Sequence, residues 1–236
     1  MEAETQNRTV APAGRAASLP LPPARQWSGG LASALSGSSH AVARALLMVA
    51  GGAALTALGA QARIHLPFTP VPLTLQVLAV LLCGGLMGSS IGAASQAAYI
   101  CLGVSGLPVF ASGLKGLGAL AGPTGGYIIG FAAAAWLVGA LCRPARGWQA
   151  RNFRRLLAAC TAGVVVIYLF GWAWLSVWLA AVAKGWHISV LGASFMQGVA
   201  PFIAADAAKA LAAALLLRMV LPRAVTRPRP ISEPPS

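Results

Sequence analysis

The chain has 236 residues, of which 58% are hydrophobic and only 9% charged, with 17 basic residues against four acidic ones. A soluble domain carries about 25% charged residues, so the composition excludes an ordinary soluble fold and places the chain in a lipid bilayer. The formal net charge of +13 invites a nucleic-acid reading, but the basic residues sit in blocks between long uncharged runs, so no nucleic-acid partner is expected.

Residues 1–43 are rich in Ala, Pro, Ser, Gly and Arg and show no apolar periodicity. No continuous hydrophobic stretch of signal-peptide type precedes the first apolar run, and a disordered cytoplasmic extension is expected. Residues 45–62, 64–114, 116–142, 156–183 and 185–205 then contain no Asp, Glu, Lys or Arg. A spanning helix needs about 20 apolar residues. The longest run accommodates two spans around a turn at Gly88-Ser89-Ser90. The predicted fold is therefore all-α, with six transmembrane helices near 45–62, 73–87, 91–106, 124–142, 156–183 and 198–220, in one membrane domain spanning 44–221. A proline-broken basic cytoplasmic tail, 222–236, follows it.

Three connecting segments are unusual. Residues 67–76, PFTPVPLTLQ, hold three prolines, so no regular helix can form until after Pro72. Residues 106–127 are glycine-rich and end at Tyr127, a composition that lets backbone N–H groups approach a polar ligand. The last predicted helix carries Pro201, Asp206 and Lys209. With both termini cytoplasmic, all but four of the basic residues lie on the inside; Arg63, Lys115 and Lys184 fall singly in outer loops and Lys209 in a helix. That asymmetry sets an N-in/C-in orientation. The three segments then share the outer half of the bilayer, with Asp206 about 12 Å below the outer end of the last helix.

Asp206 is the sole acid of the membrane body. An ionised group at the centre of a spanning helix costs about 2.5–3.5 kcal/mol on insertion scales. Lys209 lies three residues on, on the same helical face, and can neutralise it. A self-compensating ion pair could be purely structural, yet two alanines would avoid the cost altogether, which favours a functional pair. Cys83, Cys101, Cys142 and Cys160 have no metal-ligand spacing and read as small buried hydrophobes. No cofactor, no metal and no enzymatic nucleophile–base set is expected, and without a nucleotide-binding motif any uphill transport needs a partner.

The blocks at 54–82, 99–113, 116–131 and 201–216 resemble the BioY family, the biotin-specific S components (substrate-binding subunits) of energy-coupling factor (ECF) transporters. PFTPVPLTLQ and GPTGGY carry the likeness, in order and at the right spacing; 156–183, the cytoplasmic loop and both tails carry little of it. The chain departs from the usual family pattern at Ala204-Ala205, before the acid, and at Ser112 to Lys115 in the glycine loop. The resemblance implies the ECF S-component fold in a bacterial cytoplasmic membrane. It also implies biotin captured from outside, and release inward driven by a coupling transmembrane subunit with two ATPase subunits. From the ligand's chemistry, Asp206 is expected to accept from a ureido N–H and Lys209 to donate to the ureido oxygen. Lys115 would pair with the tail carboxylate at the wet rim. Thr74, Gln76 and Tyr127 are candidates for further polar contacts, and Phe202, Phe68 and Phe110 for packing on the bicycle. Small residues four apart let helices approach in a bilayer, and the resemblance implies docking of the coupling subunit on Ala50/Ala54 or Ala53/Ala57. The alternatives are an S component for another vitamin or a biotin precursor, a stand-alone biotin transporter, and, in a different class, an ion or proton channel using Asp206 as relay.

Overall fold

A computed structural model describes residues 25–142, 152–182 and 188–221; the 222–236 tail lies outside them. The chain divides into two compact units, residues 1–42 and 43–236. Helix α1 (Arg25–Gln61) begins in the first, within the stretch expected to lack regular structure, and ends in the second. The second unit continues through the hairpin β1 (Arg63–Ile64) and β2 (Leu73–Thr74), α2 (Gln76–Met87), α3 (Ser89–Val104), the short α4 (Leu117–Ala121), α5 (Gly125–Cys142), α6 (Phe153–Val182), α7 (Ile188–Gly198) and α8 (Ile203–Val220).

Beyond the early start of α1 and the short α4, the chain departs from the predicted helices at two proline-bearing segments. The second helix starts at Gln76 rather than at 73, because Leu73 and Thr74 pair antiparallel with Ile64 and Arg63 and so close the proline-bearing loop into a hairpin. The Leu75 N–H donates to the carbonyls of Gly59 and Ala62, which ties the hairpin to the end of α1. The predicted last helix is also displaced. Residues 188–198 form α7, where a loop was expected, a 3-10 turn occupies Ala200–Phe202, and α8 starts only at Ile203.

Segments Ser39–Gln61, Gly125–Cys142, Phe153–Val182 and Ser189–Val220 are long and apolar enough to cross a membrane, and Gln76–Met87 is apolar but shorter. Their outward faces carry exposed Leu46, Leu58, Trp136, Leu169 and Met219, as expected of surfaces that meet lipid rather than water. Helix α5 is the packing centre, with α2, α3 and α6 laid against it. Between lipid-embedded helices dispersion replaces the hydrophobic drive, so close approach matters most. Glycine supplies it: a Cβ on Gly84 would strike the Ala135 carbonyl, and one on Gly139 the backbone of Ser89. Between α1 and α3, Thr56 donates to Gln96 Oε1 at 3.1 Å, and both side chains are fully buried. Of the four cysteines Cys83, Cys142 and Cys160 are buried, whereas Cys101 is exposed on α3 rather than buried as expected.

Substituting Gly84 tests the packing centre. Gly84→Val should destabilise the detergent-solubilised protein by about 1–3 kcal/mol, the range for overpacking a close contact. Gly51→Ala, where an added Cβ meets nothing within 4 Å, should be neutral or slightly stabilising. Thermal unfolding of both variants checks the contrast.

Candidate ligand-binding site

Pro201 has no N–H to give to the carbonyl of Gln197, four residues back, and the Phe202 N–H turns to Val199 at 3.0 Å instead of to Gly198. Two backbone acceptors are thereby released at membrane depth, where an unsatisfied carbonyl is costly. Thr69, in the hairpin loop, donates its hydroxyl to the Gln197 carbonyl at 2.6 Å, and Tyr127, on α5, donates to the Gly198 carbonyl at 2.8 Å. The break in the α7–α8 segment is therefore the anchor for both the proline loop and the start of α5. Glycine makes room for the phenol, since a Cβ on Gly171 would clash with the Tyr127 ring.

The same break starts α8 so late that Asp206 falls in its first turn, rather than two turns inside a helix starting near Gly198. The partial positive charge of a helix N-terminus favours a carboxylate there. Lys209 Nζ donates to Asp206 Oδ1 at 2.7 Å, and the two side chains are 10% and 5% exposed. Tyr168, on α6, donates to the other oxygen, Oδ2, at 2.7 Å. Among the described residues no buried side-chain nitrogen or oxygen is left without a hydrogen-bond partner.

These groups form one wall of a partly open cavity. The hairpin contributes Val71 to Thr74, α2 Gln76 and Val77, and the glycine-rich loop Phe110, Ala111 and Leu114. Helix α5 adds Tyr127, Ile128 and Phe131, α6 Ile167 and Tyr168, and the last segment Phe202, Asp206 and Lys209. Elsewhere on the cavity wall, Thr74 donates to Gln76 Oε1 at 3.2 Å and Gln76 Nε2 donates to Tyr99 at 2.7 Å. The Tyr99 hydroxyl passes its own proton to the Val109 carbonyl at 3.3 Å and its ring meets Phe110 edge-on. That chain holds the Gln76 amide in one orientation. The arrangement offers a carboxylate, an ammonium and an amide on the walls of an otherwise apolar space, which suits a compact neutral ring bearing both donors and an acceptor.

Thr74, Gln76, Tyr127, Phe202, Asp206 and Lys209 thus share one cavity, and Phe110 lines it too. Lys115 is exposed and does not line it. Leu114 lines the cavity yet is 49% exposed, and Lys115 follows it. Phe68 is 60% exposed and also lies off the cavity. The two alanine pairs on α1 separate: Ala50 and Ala54 are exposed, whereas Ala53 is buried and Ala57 half-buried against the protein's own core. Ala53 and Ala57 therefore pack inward, because adjacent residues such as Ala53 and Ala54 point about 100° apart around a helix. Tyr168 was not anticipated. The signal was available, since a phenol in an uncharged membrane run needs a hydrogen-bond partner.

Residues 31–226 match the sequence profile of the BioY family. The chain is 38% identical over 174 residues to "Probable biotin transporter BioY" of Pyrococcus horikoshii, covering 74% of this chain and 94% of that protein. It is 37% identical over 153 residues to "Biotin transporter BioY" of Thermotoga maritima, covering 65% and 82%. Among solved structures it is similar to the 2.1 Å crystal structure of the S-component for biotin from an ECF-type ABC transporter. The TM-score is 0.64 and the identity 25%, over 77% of this chain and 92% of that one.

The helix break generates its own test. Thr69→Val removes the donor to Gln197 while keeping side-chain shape, and should cost about 1 kcal/mol of stability. Thr69→Ser should retain most of the wild-type thermal midpoint. Equal midpoints for Val and Thr would show that the released carbonyl does not need this partner.

Proposed function

The chain belongs to the BioY family, and we infer that it serves biotin uptake as the substrate-binding S component of an ECF transporter, with the cavity at Asp206 and Lys209 as its biotin site. It is a multi-pass membrane protein and a transport component, not an enzyme. The observation that carries the site is the Asp206–Lys209 ion pair at 2.7 Å, set in the wall of a largely apolar cavity.

In this reading the ureido ring enters first. An N–H of the ring donates to Asp206, and Lys209, which spends one of its three donors on Asp206, gives another to the ureido oxygen. The opposite pose would place the pentanoate on Lys209 beside Asp206, burying two anions against one cation. Phe110, Phe131 and Phe202 enclose the bicycle, with Gln76, Thr74 and Tyr127 on the polar walls. The carboxylate stays at the mouth, where Lys115 acts on it only through water. Six spans, formed by α1, α2, α3, α5, α6 and the α7–α8 segment, fit an N-in/C-in topology in a bacterial cytoplasmic membrane. Its support is the inside excess of arginine. The cavity then faces outward. The exposed Ala50/Ala54 face is proposed to dock the coupling transmembrane subunit, which two ATPase subunits energise.

Binding to purified protein tests the site. Asp206→Asn should weaken biotin by about 1.5–3 kcal/mol, as for a hydrogen bond to a charged group. Lys209→Ala should do at least as much, because it strands a buried carboxylate. Lys115→Ala should change little, since a solvated rim charge is screened. Desthiobiotin, which keeps the ureido ring, should compete, whereas thiamine and riboflavin should not. Tighter binding of either vitamin than of biotin would refute the assignment.

Topology is checked separately. Single cysteines at Ser112 and at Gly147, in a background lacking the native ones, should be labelled from opposite sides of intact cells. Labelling of both from outside would overturn the orientation.

A further inference from the structure

We propose that Tyr168 is the third member of the recognition site, holding the Asp206 carboxylate so that Lys209 keeps donors for a cyclic urea. The proposal rests on the biotin reading above and assigns a role to α6, the helix that carries little of the family likeness. Its hydroxyl lies 2.7 Å from Asp206 Oδ2, while Lys209 holds Oδ1 at the same distance. The carboxylate plane is therefore fixed from two helices, α6 and α8. A carboxylate has about four acceptor positions, so both oxygens retain capacity toward the cavity.

The consequence falls on Lys209. With Oδ2 occupied by Tyr168, the ammonium engages one oxygen and keeps its other N–H groups. Without that hydroxyl, Oδ2 has no partner on its α6 side and competes for a second ammonium proton, the one a urea oxygen would use. Tyr168 also stands between two spaces. It lines the cavity and, together with Asp206, the bottom of a groove on the outer face between α6 and α8, beside Val164, Ile203 and Leu211.

The test compares substitutions by whether they carry a donor rather than by size. Tyr168→Phe and Tyr168→Leu carry none; Tyr168→His and Tyr168→Gln carry an N–H. Biotin and desthiobiotin should bind Tyr168→Phe about tenfold or more weakly, the scale for losing a hydrogen bond to a charged group. The unfolding midpoint of the ligand-free protein should stay near wild type. The donor-bearing variants should recover most of the affinity, a rescue that a purely structural hydroxyl would not produce. In an Asp206→Asn background, Tyr168→Phe should add no more than about twofold, because the two act through one contact. The proposal is overturned if Tyr168→Phe binds as wild type, if donor-bearing and donor-free variants lose affinity alike, or if its full effect persists with Asp206→Asn. Failure of the biotin reading looks different: wild-type protein would not bind biotin, or Asp206→Asn and Lys209→Ala would bind it normally.

Discussion

A proline inside the last span, between α7 and α8, governs this structure. Pro201 cannot donate to Gln197, so the segment from Ile188 to Val220 breaks and releases backbone carbonyls that need partners. Their partners come from distant parts of the chain, Thr69 in the hairpin loop and Tyr127 on α5. Satisfying the break therefore draws together the three elements that otherwise have no sequence-local reason to meet. The cavity lies between them, with α2, α6 and the glycine-rich loop completing its walls.

The break also sets the electrostatics. It begins α8 close to Asp206, where the helix dipole favours a negative charge, and leaves Lys209 one turn further on. Charges in a membrane body are tolerated when every lone pair and proton has a partner. Here Lys209 and Tyr168 share the two carboxylate oxygens. Around this polar core the helices meet through glycine, with Gly84, Gly139 and Gly171 letting backbone or aromatic rings come close. The outer faces need only be apolar.

Much of the helical layout was legible because uncharged runs of spanning length leave few other outcomes in a bilayer. The pair at 206 and 209 was legible because opposite charges in so apolar a segment have no cheap structural reason. What escaped was local. Helix α7 lies in a run that could equally be loop, and its end depends on Pro201 acting at a distance of four residues. The two-residue strands are too short for any alternation to show. In the alanine-rich α1 every phase offers small residues four apart, so the sequence could not tell inward Ala53 from outward Ala54. Tyr168 is a lone phenol without a pattern, and only packing of α6 on α8 shows what it holds.

The central claim is that biotin lies with its ureido ring against the charged pair. A structure of the biotin-bound protein tests it most directly. The account predicts ring density within hydrogen-bond reach of both Asp206 and Lys209, between Gln76 and Tyr168, with the pentanoate running to the mouth. Density with the carboxylate on Lys209, or biotin seated in the groove between α6 and α8, would contradict it.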